Sequence, residues 1–302
     1  ELIATTDVRD ACDAFAGIYA NTKGGDGYVS IEVSPAAGND AVATITEGRR
    51  LWNTVARPNV MIKVPGTVEG AKAVRQLTSE GINVNITLLF AIAAHERVIE
   101  AYMAGLEDRI ASGHPIGGIA SVASFFVSRV DTEVDLQLGA LAQKSSDAGR
   151  QLGALHGRAA VANAKLAYAL FQQRFSSDRW RALQAKGGRL QRPLWASTST
   201  KNPAYRDVMY VEDLVGPDTV NTMPPKTIEA FHDHGDVKRT VDADLDRARA
   251  EIAAVEKAGV SMDQVTAKLL VDGLASFQKS FNSLIAGLAR KSRELGRQLV
   301  AG

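Results

Sequence analysis

An α/β fold built on a parallel sheet is what this 302-residue sequence predicts, and three observations carry it. Short β-branched runs alternate repeatedly with segments of helical spacing, joined by short links. Those runs are apolar at nearly every position rather than at every second one, which is the pattern of strands covered on both faces. With 45% hydrophobic and 23% charged residues, the chain is well supplied for such a core.

The elements follow in order. Asp7–Tyr19 is expected to be helical, with Val8, Ala11, Cys12, Phe15, Ile18 and Tyr19 on one stripe and Thr5, Thr6 or Asp7 as N-cap. Gly24, Gly25 and Gly27 make a turn, and Tyr28–Val33 reads as a strand in which Ser30 and Glu32 share a face. Asp40–Ala56 returns to helical spacing, closed by Pro58. Val60–Val64 is the next strand, and Thr67 caps the helix after it, with Gly81 at its end. Asn83–Phe90 is a strand, Ala91–Leu106 a helix and Ile119–Val127 a strand.

The alternation loosens after Arg129. Gln137–Ala142 and Arg158–Phe175 read as helices, and Ser176–Gln191, polar and basic, as a surface insertion. Arg192–Ser197 and Thr219–Met223 read as strands, with a short helix over Tyr205–Leu214 between them. The tail is helical over Val241–Lys257 and Met262–Leu299. Six such strands suit either an open doubly wound sheet or part of a (β/α)₈ barrel. No G-x-G-x-x-G or G-x-x-x-x-G-K-[ST] pattern occurs, which weakens the dinucleotide and P-loop readings.

Composition excludes further classes. Lys+Arg 35 against Asp+Glu 34 leaves a net charge of +1, so no nucleic-acid or anionic-membrane partner is expected. No apolar run reaches the length of a membrane span, and the lone cysteine, Cys12, offers neither an intrachain disulfide nor metal-ligand spacing. A cytoplasmic location is the expectation.

The chemistry is in the polar residues that interrupt the apolar strands. Glu32, Lys63, the pair Asn85/Thr87, and Ser124 with Arg129 just beyond fall at similar depth in four successive strands, and the fifth leads to Lys201. A lysine in an apolar strand must find a counter-ion or give up its proton, which is how a nucleophilic amine is made. Ringed by Glu, Asn, Thr and Ser, it has the ingredients of an imine-forming site, and Arg129 and Lys201 could hold a sugar's phosphate.

These residues resemble a known family. VMIKVPGTVEGAKAVRQLTSEGINVNITLLF is similar to the central signature of transaldolase, VSIEVSP to its acid/base glutamate strand, and SVASFFVSRVD to the strand with a serine and a phosphate-binding arginine. WASTSTKNPAYRDVMYVEDLVGPDTVNTMP resembles the late barrel of the longer, actinobacterial and plant-like subgroup. The resemblance implies a TIM-type (β/α)8 barrel over residues 1–302, with 137–191 as a helical insertion and extra helices at the C-terminus. Family members begin with two further βα units carrying an aspartate and a T-N-P asparagine. No TNP occurs here, so the expectation is a barrel without its first two strands, poorly stable and weakly active on its own.

Carried over residue by residue, the resemblance makes Lys63 the Schiff-base nucleophile. Glu32 and Thr87 would manage the catalytic water, Asn85 and Ser124 would bind substrate hydroxyls, and Arg129 and Lys201 the phosphate. At the position of Lys201 many relatives have arginine, whose bidentate fork a lysine lacks. The implied activity is transfer of a dihydroxyacetone unit between sugar phosphates in the pentose phosphate pathway, with neither metal nor organic cofactor. A Schiff-base aldolase and a weakly active sugar-phosphate-binding remnant are the alternatives. Small-molecule sugar phosphates are the expected partners, with a homodimer as a possible assembly.

Overall fold

The computed structural model describes residues 1–143 and 152–301. Residues 144–151 of the expected 137–191 insertion lie outside them. Among the described residues six strands form one parallel sheet in the order β1 to β6: Val29–Glu32, Val60–Pro65, Val84–Leu89, Ser121–Phe126, Gln191–Ala196 and Val220–Asn221. A doubly wound sheet reverses its strand order at a switch point. This order never reverses, so each crossover proceeds in the same direction and the sheet curls like part of a barrel. The curl is visible at the strand N-terminal ends. Arg189 and Arg192, at the start of β5, donate to the carbonyls of Gly24 and Gly25 just before β1, although four strand spacings of about 4.8 Å separate the two in the sheet.

The helices are α1 (Leu2–Asn21), α2 (Ala41–Val55), α3 (Val68–Ser79), α4 (Ile92–Ala111), α5 (Ser128–Ala142), α6 (Ala159–Arg174), α7 (Asp178–Gln184), α8 (Met209–Glu212), α9 (Pro225–His234), α10 (Leu245–Lys257) and α11 (Met262–Ala301). Both expected ends of α3 are present, Thr67 accepting from the Gly70 amide at 2.9 Å and Gly81 taking a left-handed φ of 88°; α2 has a cap beyond those expected, Asp40 accepting from the Ala43 amide at 3.0 Å. None of these helices is long and apolar enough to cross a membrane.

Several boundaries differ from expectation. α1 begins five residues before Asp7, and Glu1 replaces Thr5, Thr6 or Asp7 as its N-cap, since the Thr5 hydroxyl is turned back to the Glu1 and Leu2 carbonyls. α5 starts at Ser128, two residues after the end of β4 and well before the expected Gln137, so Arg129 lies in its first turn. α8 covers only part of Tyr205–Leu214, and α9 follows Pro224 where the sequence showed only a strand stop. Ser176–Gln191 is exposed along much of its length, as expected, but it is anchored from beneath. Trp180 and Leu183 of α7 are buried in a second apolar cluster with Ile99, Tyr102, Met103 and Leu106 of α4. Of its basic residues, Arg179 forks onto Glu107 at 2.7 and 2.8 Å and also meets Glu100, while Arg181 stays exposed beside Asp178; just before the segment, Arg174 pairs with Glu96.

His95, in the first turn of α4, is fully buried beside the Phe125 ring, and neither ring nitrogen has a hydrogen-bond partner among the described residues. Burial disfavours its charged form and pulls its pKa from 6.5 down to about 4. The unfolded chain protonates His95 below 6.5 and the folded one does not until about 4, so stability falls across that window as pH is lowered. A shift from 6.5 to about 4 corresponds to about 3 kcal/mol. In urea titrations, His95→Leu is expected to show a flatter pH dependence by that amount. Identical slopes for the two proteins would refute it.

Candidate active site

Lys63 stands at the middle of β2, and strand register chooses its neighbours. Glu32 of β1 is directly opposite on one side and Asn85 of β3 on the other; two residues on, Thr87 is opposite Pro65. Because side chains alternate across a strand, Ser30 and Glu32, Lys63, and Asn85 and Thr87 fall on one face, the concave one. Lys63 Nζ lies 3.3 Å from Glu32 Oε2, and each side chain is 26% exposed. Burial raises the Glu32 carboxyl above its ordinary pKa, and the Lys63 ammonium draws it part of the way back. Its other oxygen, Oε1, is buried without a hydrogen-bond partner among the described residues, as is the Thr87 hydroxyl. Two such groups, on the strands that flank the one carrying the amine, can accept and donate one proton in turn.

Asn85 is held at both ends of its amide. Its Nδ2 donates to Ser30 Oγ at 2.9 Å, and its Oδ1 accepts from Ser124 Oγ at 2.7 Å. The bond to Ser30 passes over β2, which a concave sheet permits. It fixes which way the amide points, so a substrate hydroxyl would meet the remaining N–H and the free lone pairs of the two serines. The sequence placed Ser30 on the right face without giving it a role; its signal was the i, i+2 spacing to Glu32.

The end of β3 is distorted. Its register with β4 shifts between Ile86 and Leu89, and Leu88, buried at 1% exposure, has a φ of 58°. A bulky residue in that left-handed region costs about 1–2 kcal/mol, and such conformations concentrate where side chains must be aimed.

The two cations lie apart from this cluster. The Arg129 guanidinium rests over the Phe126 ring at 5.3 Å, is half-buried, and makes no ion pair among the described residues. Burial lowers its pKa. Lys201 is exposed, bonded to Ser199 Oγ at 2.6 Å, and lines a cavity of about 180 Å³ with Asp131, Asp135, Tyr205 and Tyr210. Within that cavity the Tyr210 hydroxyl donates to Asp131 at 2.8 Å and the Tyr205 hydroxyl to Asp135 at 2.5 Å, fastening the loop after β5 to α5. Thus Lys63 with Glu32, and Asn85 with Ser124, are joined directly. Thr87 shares their face, and neither Arg129 nor Lys201 makes a hydrogen bond or ion pair with any of them.

A roomier cavity, of about 530 Å³, lies between α6 and α10. Its cations are already engaged, Arg158 and Arg247 both with Glu251 and Lys165 with the Ala243 carbonyl. Among the described residues no group of three or more His, Cys, Asp or Glu is placed to hold a metal.

With this geometry in view, similarity to known proteins can be stated. The transaldolase/fructose-6-phosphate aldolase family model matches residues 1–288. A protein named transaldolase from Trichodesmium erythraeum is 48% identical over 299 residues, covering 98% of this chain and 79% of the relative. One of the same name from Frankia alni is 45% identical, covering 98% and 77%. Transaldolase 1 of Streptomyces coelicolor is 48% identical, covering 96% and 74%.

Proposed function

The chain belongs to the transaldolase/fructose-6-phosphate aldolase family, and from that premise we propose that it acts as a transaldolase with Lys63 as its Schiff-base amine. The relatives named transaldolase, aligned over nearly all of this chain, support an enzyme that transfers aldehyde or ketone residues. The observation that supports Lys63 most is the in-register trio of Glu32, Lys63 and Asn85 on one concave face.

In this reading Lys63 Nζ adds to the ketone of a ketose phosphate such as sedoheptulose 7-phosphate or fructose 6-phosphate. Water leaves as the iminium forms. The hydroxyl two carbons from the iminium carbon then loses its proton, its oxygen becomes the aldehyde as the bond between those two chain carbons breaks, and that bond's electron pair flows into the iminium. An aldose phosphate departs, and the dihydroxyacetone unit remains on Lys63 as an enamine. Attack of that carbon on a second aldose phosphate reverses these steps. Glu32 and Thr87 carry the protons through a water, while Ser30, Asn85 and Ser124 hold the donor's hydroxyls. Borohydride added during turnover of fructose 6-phosphate is expected to leave a dihydroxyacetone-sized mass on the peptide containing Lys63. An adduct without transfer to an aldose acceptor would favour the aldolase reading.

Arg129 and Lys201 are proposed to bind the phosphate, with unequal weight. The half-buried guanidinium, free of carboxylates, is the stronger anion site; the exposed Lys201 ammonium is screened by water. Arg129→Ala is expected to raise KM by roughly 10- to 100-fold, and Lys201→Ala by less than about tenfold, with kcat changed little. Steady-state kinetics with fructose 6-phosphate test this; equal KM values for wild type and Arg129→Ala would remove Arg129 from the role.

We read the six strands as the larger part of a TIM-type barrel, with 137–191 a helical insertion in a single domain. Support comes from the sequential parallel order and from edges at β1 and β6 where two more strands would complete eight. A homodimer is supported by the exposed apolar stripe Phe281, Leu284, Ile285 and Leu288 on α11. A cytoplasmic location is supported by the one cysteine being free.

A further inference from the structure

α11 does not run alongside the sheet. It crosses the mouth formed by the strand C-terminal ends, and three contacts trace its path. At Gly273 the helix comes so close to the end of β3 that a Cβ there would lie 2.8 Å from Leu88 Cδ2 and 3.7 Å from an Arg129 guanidinium nitrogen. Leu274 packs beside Gly38, next to Pro65 at the end of β2. One turn after Gly273, the Phe277 ring faces Lys63 Nζ, 6.0 Å from ring centroid to nitrogen. Phe277 is itself half-buried against the main core.

From this arrangement the geometry points to Phe277 as the residue that decides what becomes of the carbon unit held on Lys63, transfer to an acceptor or loss to water. The inference rests on Lys63 being the Schiff-base amine. The separation of 6.0 Å exceeds direct contact, about 3.5–4.0 Å, so there is space between ring and amine for atoms bonded to Nζ. The ring does two things there. Its negative face attracts the cationic iminium, and its apolar surface covers one side of the C=N bond.

Loss to water runs in balanced steps. The enamine carbon takes up a proton, giving the iminium of dihydroxyacetone. A water oxygen adds to the iminium carbon and gives up one proton; the hydroxyl so formed then passes its other proton to Nζ as the carbon–nitrogen bond breaks with its electron pair going to that nitrogen, and free dihydroxyacetone leaves. The addition of water is the step that a ring over the nitrogen obstructs. Arg129 bears on the same helix through Gly273, so the cover and the proposed phosphate anchor are mechanically joined.

The experiment measures adduct lifetime. The chain is loaded with fructose 6-phosphate, free sugar is removed, and samples are quenched with borohydride at intervals to count the mass remaining on the Lys63 peptide. Phe277→Ala is expected to shorten the half-life at least tenfold while the initial adduct forms as in wild type. Phe277→Leu, which retains apolar bulk but not the ring, should fall between them, and it decides the matter should the alanine variant not fold. Half-lives within twofold of wild type, with normal adduct formation, overturn the role of Phe277. Absence of any Lys63 adduct in wild type overturns instead the Schiff-base reading, and this inference with it.

Discussion

Lys63→Arg is expected to abolish the borohydride-trapped adduct and to reduce turnover by on the order of 10⁴-fold or more, the scale seen when a covalent nucleophile is removed. Arginine keeps a positive charge beside Glu32, so the local electrostatics change little. It lacks a nitrogen that can lose its proton, and without a neutral amine there is no nucleophile. Lys63→Ala should also fail to trap, but by another route, since it leaves the raised Glu32 carboxyl without its cation. Mass spectrometry of the peptide spanning β2 distinguishes these readings. An arginine variant that still gains the dihydroxyacetone mass on that peptide would show that the amine lies elsewhere.

Glu32→Gln should be the second most damaging change, lowering kcat by about 10²–10⁴-fold, the usual contribution of a positioned acid/base group. Its pH signature is specific. Burial raises the Glu32 pKa above its ordinary 4.5, so the acidic limb of the wild-type rate profile should lie above the common carboxylate range, and glutamine should erase that limb. The stability consequence has the opposite sense. An acid with a raised folded pKa contributes stability below its unfolded value of 4.5 and loses it as pH rises through the folded value. Glutamine removes that loss, so at neutral pH the inactive variant should melt no lower than wild type, with any advantage vanishing below 4.5. Full activity in Glu32→Gln, or a retained acidic limb, would assign the proton transfers to another group.

The strand alternation, the two ends of α3 at Thr67 and Gly81, and the shared face of Ser30 and Glu32 were legible because each is set by spacing within a few residues. What escaped was set by partners distant in sequence. α7 looked like solvated insertion because its sequence is polar and basic, while the carboxylates that hold Arg179, Glu100 and Glu107, lie on α4. The start of α5 at Ser128 was obscured because β4 passes into it with no glycine or proline between them. Phe277 looked like one more apolar position in an amphipathic tail, and only the path of α11 across the mouth brings it to Lys63. Ser30 lay on the correct face, but its bond to Asn85 depends on sheet curvature, which no single strand encodes.

The pairing of Glu32 with Lys63 and of Lys63 with Asn85 has a consequence for how folding can be observed. Side chains alternate with a period of two, so sliding β2 by one residue would turn Lys63 out among the helices and put Ile62 or Val64 in its place. Slides by two would keep the lysine inward but part it from both partners. Of all the offsets this sheet could adopt, one alone assembles the amine, the carboxylate and the amide. Adduct formation is therefore a census: the fraction of chains that borohydride can tag counts those whose neighbouring strands have settled at the right offset, and it does so chain by chain.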